Sequence, residues 1–243
     1  MMRKYISVYS FLLFVIPAVT LFICFQIIAY YYPDFHTIPF IDGKASVSMI
    51  GRGEKTIMTF KSGFFLYIFV SVLFYSKISN FFLLNGIVNK FKIYGLLANF
   101  FLCVYILALG RDGSFYEISR RLAIIFYIAN IYINHIYLIK ILRLLKSKKK
   151  IEFNNIYLAI FYIIIACMTI LVIIGMPWVN PLFKYPDQLK NIVEWNFFLL
   201  TIIFYIPLSL MFRQLIEQAK KWKKYLYILC WFWLFATLVL QTI

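Results

Sequence analysis

Apolar runs of about twenty residues recur along the whole chain, and their interiors hold no Asp, Glu, Lys or Arg. A run of that length crosses a hydrocarbon layer about 30 Å thick as an α-helix. Such a segment must satisfy its own backbone hydrogen bonds, which leaves helices or closed barrels. The runs are continuous rather than alternating, so a barrel is excluded. The class is all-α: a polytopic transmembrane helical bundle forming one domain. Hydropathy places spans at about 5–31, 57–75, 93–110, 115–139, 153–175 and 195–212, six core spans, with a seventh at 225–243. Pro17 and Pro207 lie inside spans and are tolerated there. Residues 77–92, with Lys77, Lys90 and Lys92 around Phe81 and Phe82, read as an interfacial turn.

The net charge of +16 is distributed unevenly. With the N-terminus cytoplasmic, sixteen of the Lys and Arg residues fall in inside connectors and nine in outside loops, whereas seven of the nine acids fall outside. That bias sets the orientation, N-in and, with seven spans, C-out. The same placement beside apolar spans accounts for the basic balance through lipid head groups and excludes nucleic acid as the partner. Cys24, Cys103, Cys167 and Cys230 all lie within spans, without a C-x-x-C pair, and act as small apolar residues. Two histidines, His36 and His135, give no metal set, and no cofactor motif is present. Gly51-Arg52-Gly53 lacks the strand–helix context of a dinucleotide fingerprint.

The longest polar interruption is residues 38–61, and the outer loops are 32–56, 111–114 and 176–194. Asp42-Gly43 is a hairpin signal. Ser46 and Ser48 share a face if the segment is extended. Ser114 and Glu117 match a capping box opening the fourth span. Lys190 and Glu194 are spaced for an ion pair. Arg52, Arg120 and Arg121 can offer planar forks to a phosphate or carboxylate, steadied by Asp42, Glu54, Glu117 and Glu194. Loop 38–61 is therefore expected to fold over the bundle mouth and meet the 111–121 connector and Glu194-Trp195. The result is a polar cap for a lipid head group, anionic by this charge pattern, with Trp195 and Phe40 at the acyl boundary. The alternative for these residues is a salt-bridged lid. Asn130, Asn134 and His135 are the intramembrane polar group, read first as interhelical hydrogen bonding and second as a pocket or relay. An uncharged interior disfavours a transporter, and no Ser/His/Asp or Cys/His set is evident.

Several short motifs resemble the Frag/DRAM/Sfk family of polytopic membrane proteins, which includes the damage-regulated autophagy modulators and a factor that remodels GPI-anchor lipid. They are Ser46-Val47-Ser48-Met49-Ile50-Gly51 followed by Glu54, Pro39-Phe40-Ile41, Glu117 with Asn134-His135, and Glu194-Trp195. The resemblance spans residues 8–212. Tyr116 stands where the GPI-lipid factor has histidine, and the family has six spans. It implies a protein that handles or organises membrane lipids, or, as the alternative, modifies them by acyl transfer or lipid remodelling.

Overall fold

A computed structural model describes residues 2–32, 34, 37–175 and 186–216. Among these the regular structure is entirely helical. The helices are α1 (Met2–Tyr31), α2 (Pro39–Asp42), α3 (Val47–Arg52), α4 (Ile57–Leu84), α5 (Phe91–Ala108), α6 (Ser114–Ser147), α7 (Asn155–Ile174), α8 (Pro186–Ile203) and α9 (Tyr205–Gln214). With α8 and α9 taken as one rod, six helices are long and apolar enough to cross a membrane. The protein is a multi-pass membrane-type bundle. The seventh span at 225–243 and the 176–185 part of the third outer loop lie outside the described residues.

The rods form a ring in chain order, α1 against α4, α4 against α5, α5 against α6, α6 against α7, α7 against α8 and α9, and α9 back on α1. α7 shows why the outside of the ring stays apolar. It buries only Tyr157, Phe161, Ile164 and Met168, a single stripe at helical spacing. Ile163, Ile170 and Ile173 point outward, where lipid is the solvent.

Lipid supplies no hydrophobic drive between helices, so polar bonds and close backbone approach hold them. Ser7 Oγ donates to Ser209 O at 3.0 Å and Ser209 Oγ returns a bond to Ser7 O at 2.8 Å, joining α1 to α9. Ser71 of α4 donates to Asn99 Oδ1 of α5 at 2.9 Å. Asn134 of α6 donates to the Phe91 carbonyl of α5 at 2.7 Å. At Gly63 and Gly95 the backbones come so close that a Cβ would stand 2.0 Å from Thr20 Oγ1 and 2.6 Å from the Tyr75 ring.

Three span boundaries differ from the hydropathy reading, one of them the end of α6, which runs to Ser147 rather than 139. α4 runs on to Leu84 rather than ending at 75, so residues 77–84 belong to a helix and not to an interfacial turn. Ile78, Phe81 and Phe82 are buried, and that packing keeps the helix going past Lys77. The last described rod begins at Pro186 rather than 195, because its polar first turns pack on loop 38–56. Its break at Phe204 precedes Pro207, which has no N–H to give the Ile203 carbonyl.

Candidate functional site

Loop 37–56 closes one end of the ring, and its own chemistry fixes its shape. The Asp42 carboxylate accepts from the Thr37 hydroxyl at 2.8 Å and from the N–H groups of Ile38 at 2.9 Å and Lys44 at 3.0 Å. Burial works against that carboxylate, but the two amides, the hydroxyl and the Lys44 charge outweigh it and hold its pKa below the ordinary value. Gly43 follows at φ +63°, ending α2, with the Gln188 carbonyl where a Cβ would stand. The expected Asp42-Gly43 hairpin is therefore a helical turn with a left-handed cap.

Three side chains of α8 then take up the carbonyls of this loop. Asn191 Nδ2 donates to Gly43 O at 2.7 Å, Trp195 Nε1 to Ala45 O at 2.8 Å, and Asn196 Nδ2 to Phe40 O at 2.9 Å. Residues 191 and 195, one turn apart, share one helix face, and 196 lies on the adjoining one. The loop thus meets the Glu194-Trp195 edge as the sequence leads one to expect. Trp195, however, is buried with Phe25 against its ring, and does not stand at an acyl boundary.

Ser46 caps α3 by accepting from Met49 N–H at 3.0 Å, and its hydroxyl lies 2.9 Å from that of Ser48. The two serines do meet, but through cap geometry rather than an extended segment. Glu194 points at this turn. Its carboxylate accepts from the N–H groups of Val47 and Ser48, the first of α3, instead of pairing with Lys190. Lys190 bonds Asp187 at 3.1 Å. The donors that an outside anion would need at α3 are already taken by the protein's own carboxylate.

Below Glu194 is a narrow slot of about 40 Å³ between α4, α5, α6 and α8. Phe60, Phe64, Leu102, Ile124, Phe197 and Phe198 form its apolar walls, and Tyr105, Tyr127, Thr201 and Glu194 supply its polar atoms. The Tyr105 hydroxyl reaches the Ser48 side chain, with the charges of Arg52 and Arg120 nearby.

The other expected cap residues are dispersed. Arg120 Nη1 donates to Ala108 O at 3.1 Å and Arg111 O at 2.7 Å, closing the end of α5. Arg121 pairs with Glu117 on an exposed helix turn, and Glu54 with Lys55 at 3.5 Å. Such exposed pairs contribute little. α6 begins at Ser114 with Gly113 as its cap and no side-chain cap bond, so the Ser114/Glu117 box does not form. Glu117 is engaged by Arg121 instead. Arg52 is exposed at the end of α3. Ile57, the first residue of α4, packs on Gly110, one residue short of the 111–121 connector that the loop is expected to meet.

Asn130 turns back on its own helix, donating to Phe126 O at 2.8 Å. Asn134 makes the interhelical bond expected of it. His135 is fully buried and stacks on Phe204 at 3.9 Å and 13°, with neither ring nitrogen hydrogen-bonded. Composition and span assignment miss a buried group of tyrosines, Tyr67, Tyr75, Tyr127 and Tyr205. Tyr75 and Tyr205 hydroxyls lie 3.3 Å apart, and Tyr67 reaches both Tyr127 and Tyr205. Tyr67, Ser71 and Tyr75 at steps of four make one stripe on α4, a signal that was available in the sequence.

Among the described residues no three His, Cys, Asp or Glu side chains gather as metal ligands. Cys24, Cys103 and Cys167 are free thiols, and Cys230 lies outside the described residues. No family model, curated protein or solved structure matches this chain.

Proposed function

We propose that this chain handles or organises membrane lipids as a Frag/DRAM/Sfk-type protein, and that the slot under α3 is where an amphiphile is held. The observation that carries this reading is the slot itself. At about 40 Å³ the slot takes no more than the end of a chain, well short of the roughly 300–1,000 Å³ usual for a ligand site. Its aromatic and aliphatic walls suit that apolar end, while Glu194 and Tyr105, beside α3, suit a polar one. The loop over it is held at three carbonyls by α8, so the mouth is shaped by a fixed lid. The motifs Ser46–Gly51 and Glu194-Trp195 that resemble the family meet at this mouth through the bonds of Glu194 to the α3 amides.

A lipid-modifying enzyme is the second reading, favoured by a carboxylate that shares a slot with the hydroxyls of Tyr105, Tyr127 and Thr201. One experiment serves both. Lipids that copurify with the wild type, Glu194→Gln and a slot-filling Ile124→Trp are identified and counted per protein by mass spectrometry. The handling reading expects Ile124→Trp to lower bound lipid severalfold in a folded, monodisperse protein, with unchanged lipid chemistry. Unchanged lipid in both folded variants sinks it. A lipid species made by the wild type and missing with Glu194→Gln favours the enzyme.

A further inference from the structure

At the opposite end of the ring from loop 38–56, the connector between α4 and α5 is as closely built as that loop. Asn85 closes α4 by donating from Nδ2 to Phe81 O at 2.7 Å, and Gly86 takes φ +75°. Ile87 turns inward, buried, with its N–H on Phe82 O at 2.9 Å. Asn89 then bridges both ways, donating to Ile87 O at 3.2 Å and accepting from Phe91 N–H at 3.1 Å. The start of α5 is pinned to α6 by the Asn134–Phe91 bond. Between this fixed connector and α6 lies a recess of about 380 Å³, within the range of about 300–1,000 Å³ usual for small-molecule sites.

Its lining is amphiphilic. Tyr137, Lys140, Ile141 and Leu144 come from one side of α6, and Val88, Asn89 and Lys90 from the connector. Lys90 and Lys140 are both exposed, and no ion pair engages either among the described residues. Glu152 is the single acid among the described residues at this end, against a dense set of lysines from Lys140 to Lys150. The recess therefore offers two ammonium groups with no carboxylate among the described residues to neutralise them. Beside them are apolar side chains left in the open: Val88 is 91% exposed in the connector, and on α6, one and two turns back from Lys140, Ile136 is 42% and Ile133 39% exposed. A soluble anion has no use for that apolar flank, whereas a phospholipid has use for both halves.

We infer that the Lys90–Lys140 recess binds the phosphate head group of an anionic phospholipid, with its acyl chains running back toward the middle of α6 past the exposed Ile136 and Ile133. Both ammonium groups can approach the phosphate oxygens, and the Tyr137 hydroxyl, from the same lining, is a further donor. The site is separate from the slot under α3, and the two can fail independently.

The test uses full-length protein in detergent with three probes: dioleoyl-phosphatidylglycerol, dioleoyl-phosphatidylcholine and soluble glycerol 3-phosphate, with binding read by native mass spectrometry. Wild type is expected to prefer phosphatidylglycerol over phosphatidylcholine by tenfold or more. Lys90→Gln with Lys140→Gln is expected to lower phosphatidylglycerol affinity by about 30-fold, from two surface charges. Lys140→Arg keeps the charge and the preference, which guards against mere misfolding. Lys148→Gln with Lys150→Gln removes two charges at the same end outside the recess. If that pair lowers the affinity as much, or if wild type shows no preference, the recess is not the site. Glycerol 3-phosphate binding as tightly as the lipid overturns the lipid assignment. Glu194→Gln leaves the preference intact, so the recess and the slot are judged apart.

Discussion

Asp42 sits at the start of the lid and serves three donors with one carboxylate, none of them an arginine. Its folded pKa is lower than its unfolded one, so its contribution is complete above the unfolded value, about 4, and is lost as pH falls through the folded value. Asp42→Asn removes that dependence. Cleavage of the loop by pepsin is the measurement, taken as the ratio of variant to wild type so that the protease's own pH profile cancels. The ratio is expected above one at pH 4.5 and near one at pH 2; a ratio that stays constant across this range rules the mechanism out. The same position shows what a short motif leaves unsaid. Asp-Gly announces a turn, and a turn is there, but hairpin and helical cap use the same two residues. Long-range bonds from Asn191, Trp195 and Asn196 select between them, and no local pattern holds that information.

At the scale of helices, close approach is the main device, and glycine marks it. In an open helix Gly→Ala gains about 1 kcal/mol from propensity. At Gly63 the new methyl would meet the β-branched Thr20 side chain of α1, whose hydroxyl is bonded to Ile16 O at 2.7 Å and cannot swing freely. Overpacking of this kind costs about 1–3 kcal/mol, which outweighs the gain. Gly63→Ala is thus expected to lower the melting temperature in detergent, and Thr20→Ala in the same chain to recover part of the loss. A rise in melting temperature on Gly63→Ala alone would show that α1 and α4 are not packed this closely. Helices were legible from hydropathy because an uncharged run of twenty residues has few other solutions. Their ends were not, where packing overrides charge: Lys77 looks like an exit, yet buried Ile78, Phe81 and Phe82 carry α4 on to Leu84. The candidate site was legible in part. Glu194 and the serine turn stand out by residue type, and they do meet. That Glu194 faces amides rather than Lys190, and that tyrosines fill the middle of the ring, depends on how the six rods are rotated.

For the whole molecule, the two ends of the ring differ in charge as sharply as in structure. One end carries the lid, with Asp42, Glu54, Glu117 and Glu194 among its acids, and the other the lysines of 140–150 with, among the described residues, Glu152 alone against them. Six rods return the chain to the face where it began, as the 3.4 Å bond from Arg3 Nη1 to the Leu215 carbonyl records. Positive charge beside short connectors is kept on the cytoplasmic side. The expected topology therefore places Arg3, Lys90, Lys140 and Lys148 inside and the lid outside. Single cysteines in a background freed of Cys24, Cys103, Cys167 and Cys230 decide it. At position 52, on the exposed end of α3, a membrane-impermeant maleimide is expected to label intact cells. At position 148, just past α6, it is expected to label only after permeabilisation. Labelling of 148 in intact cells inverts the bundle. The slot under α3 would then open to the cytoplasm and the Lys90–Lys140 recess to the opposite leaflet, which is poorer in anionic lipid, so the recess would lose its natural occupant while the slot kept its chemistry.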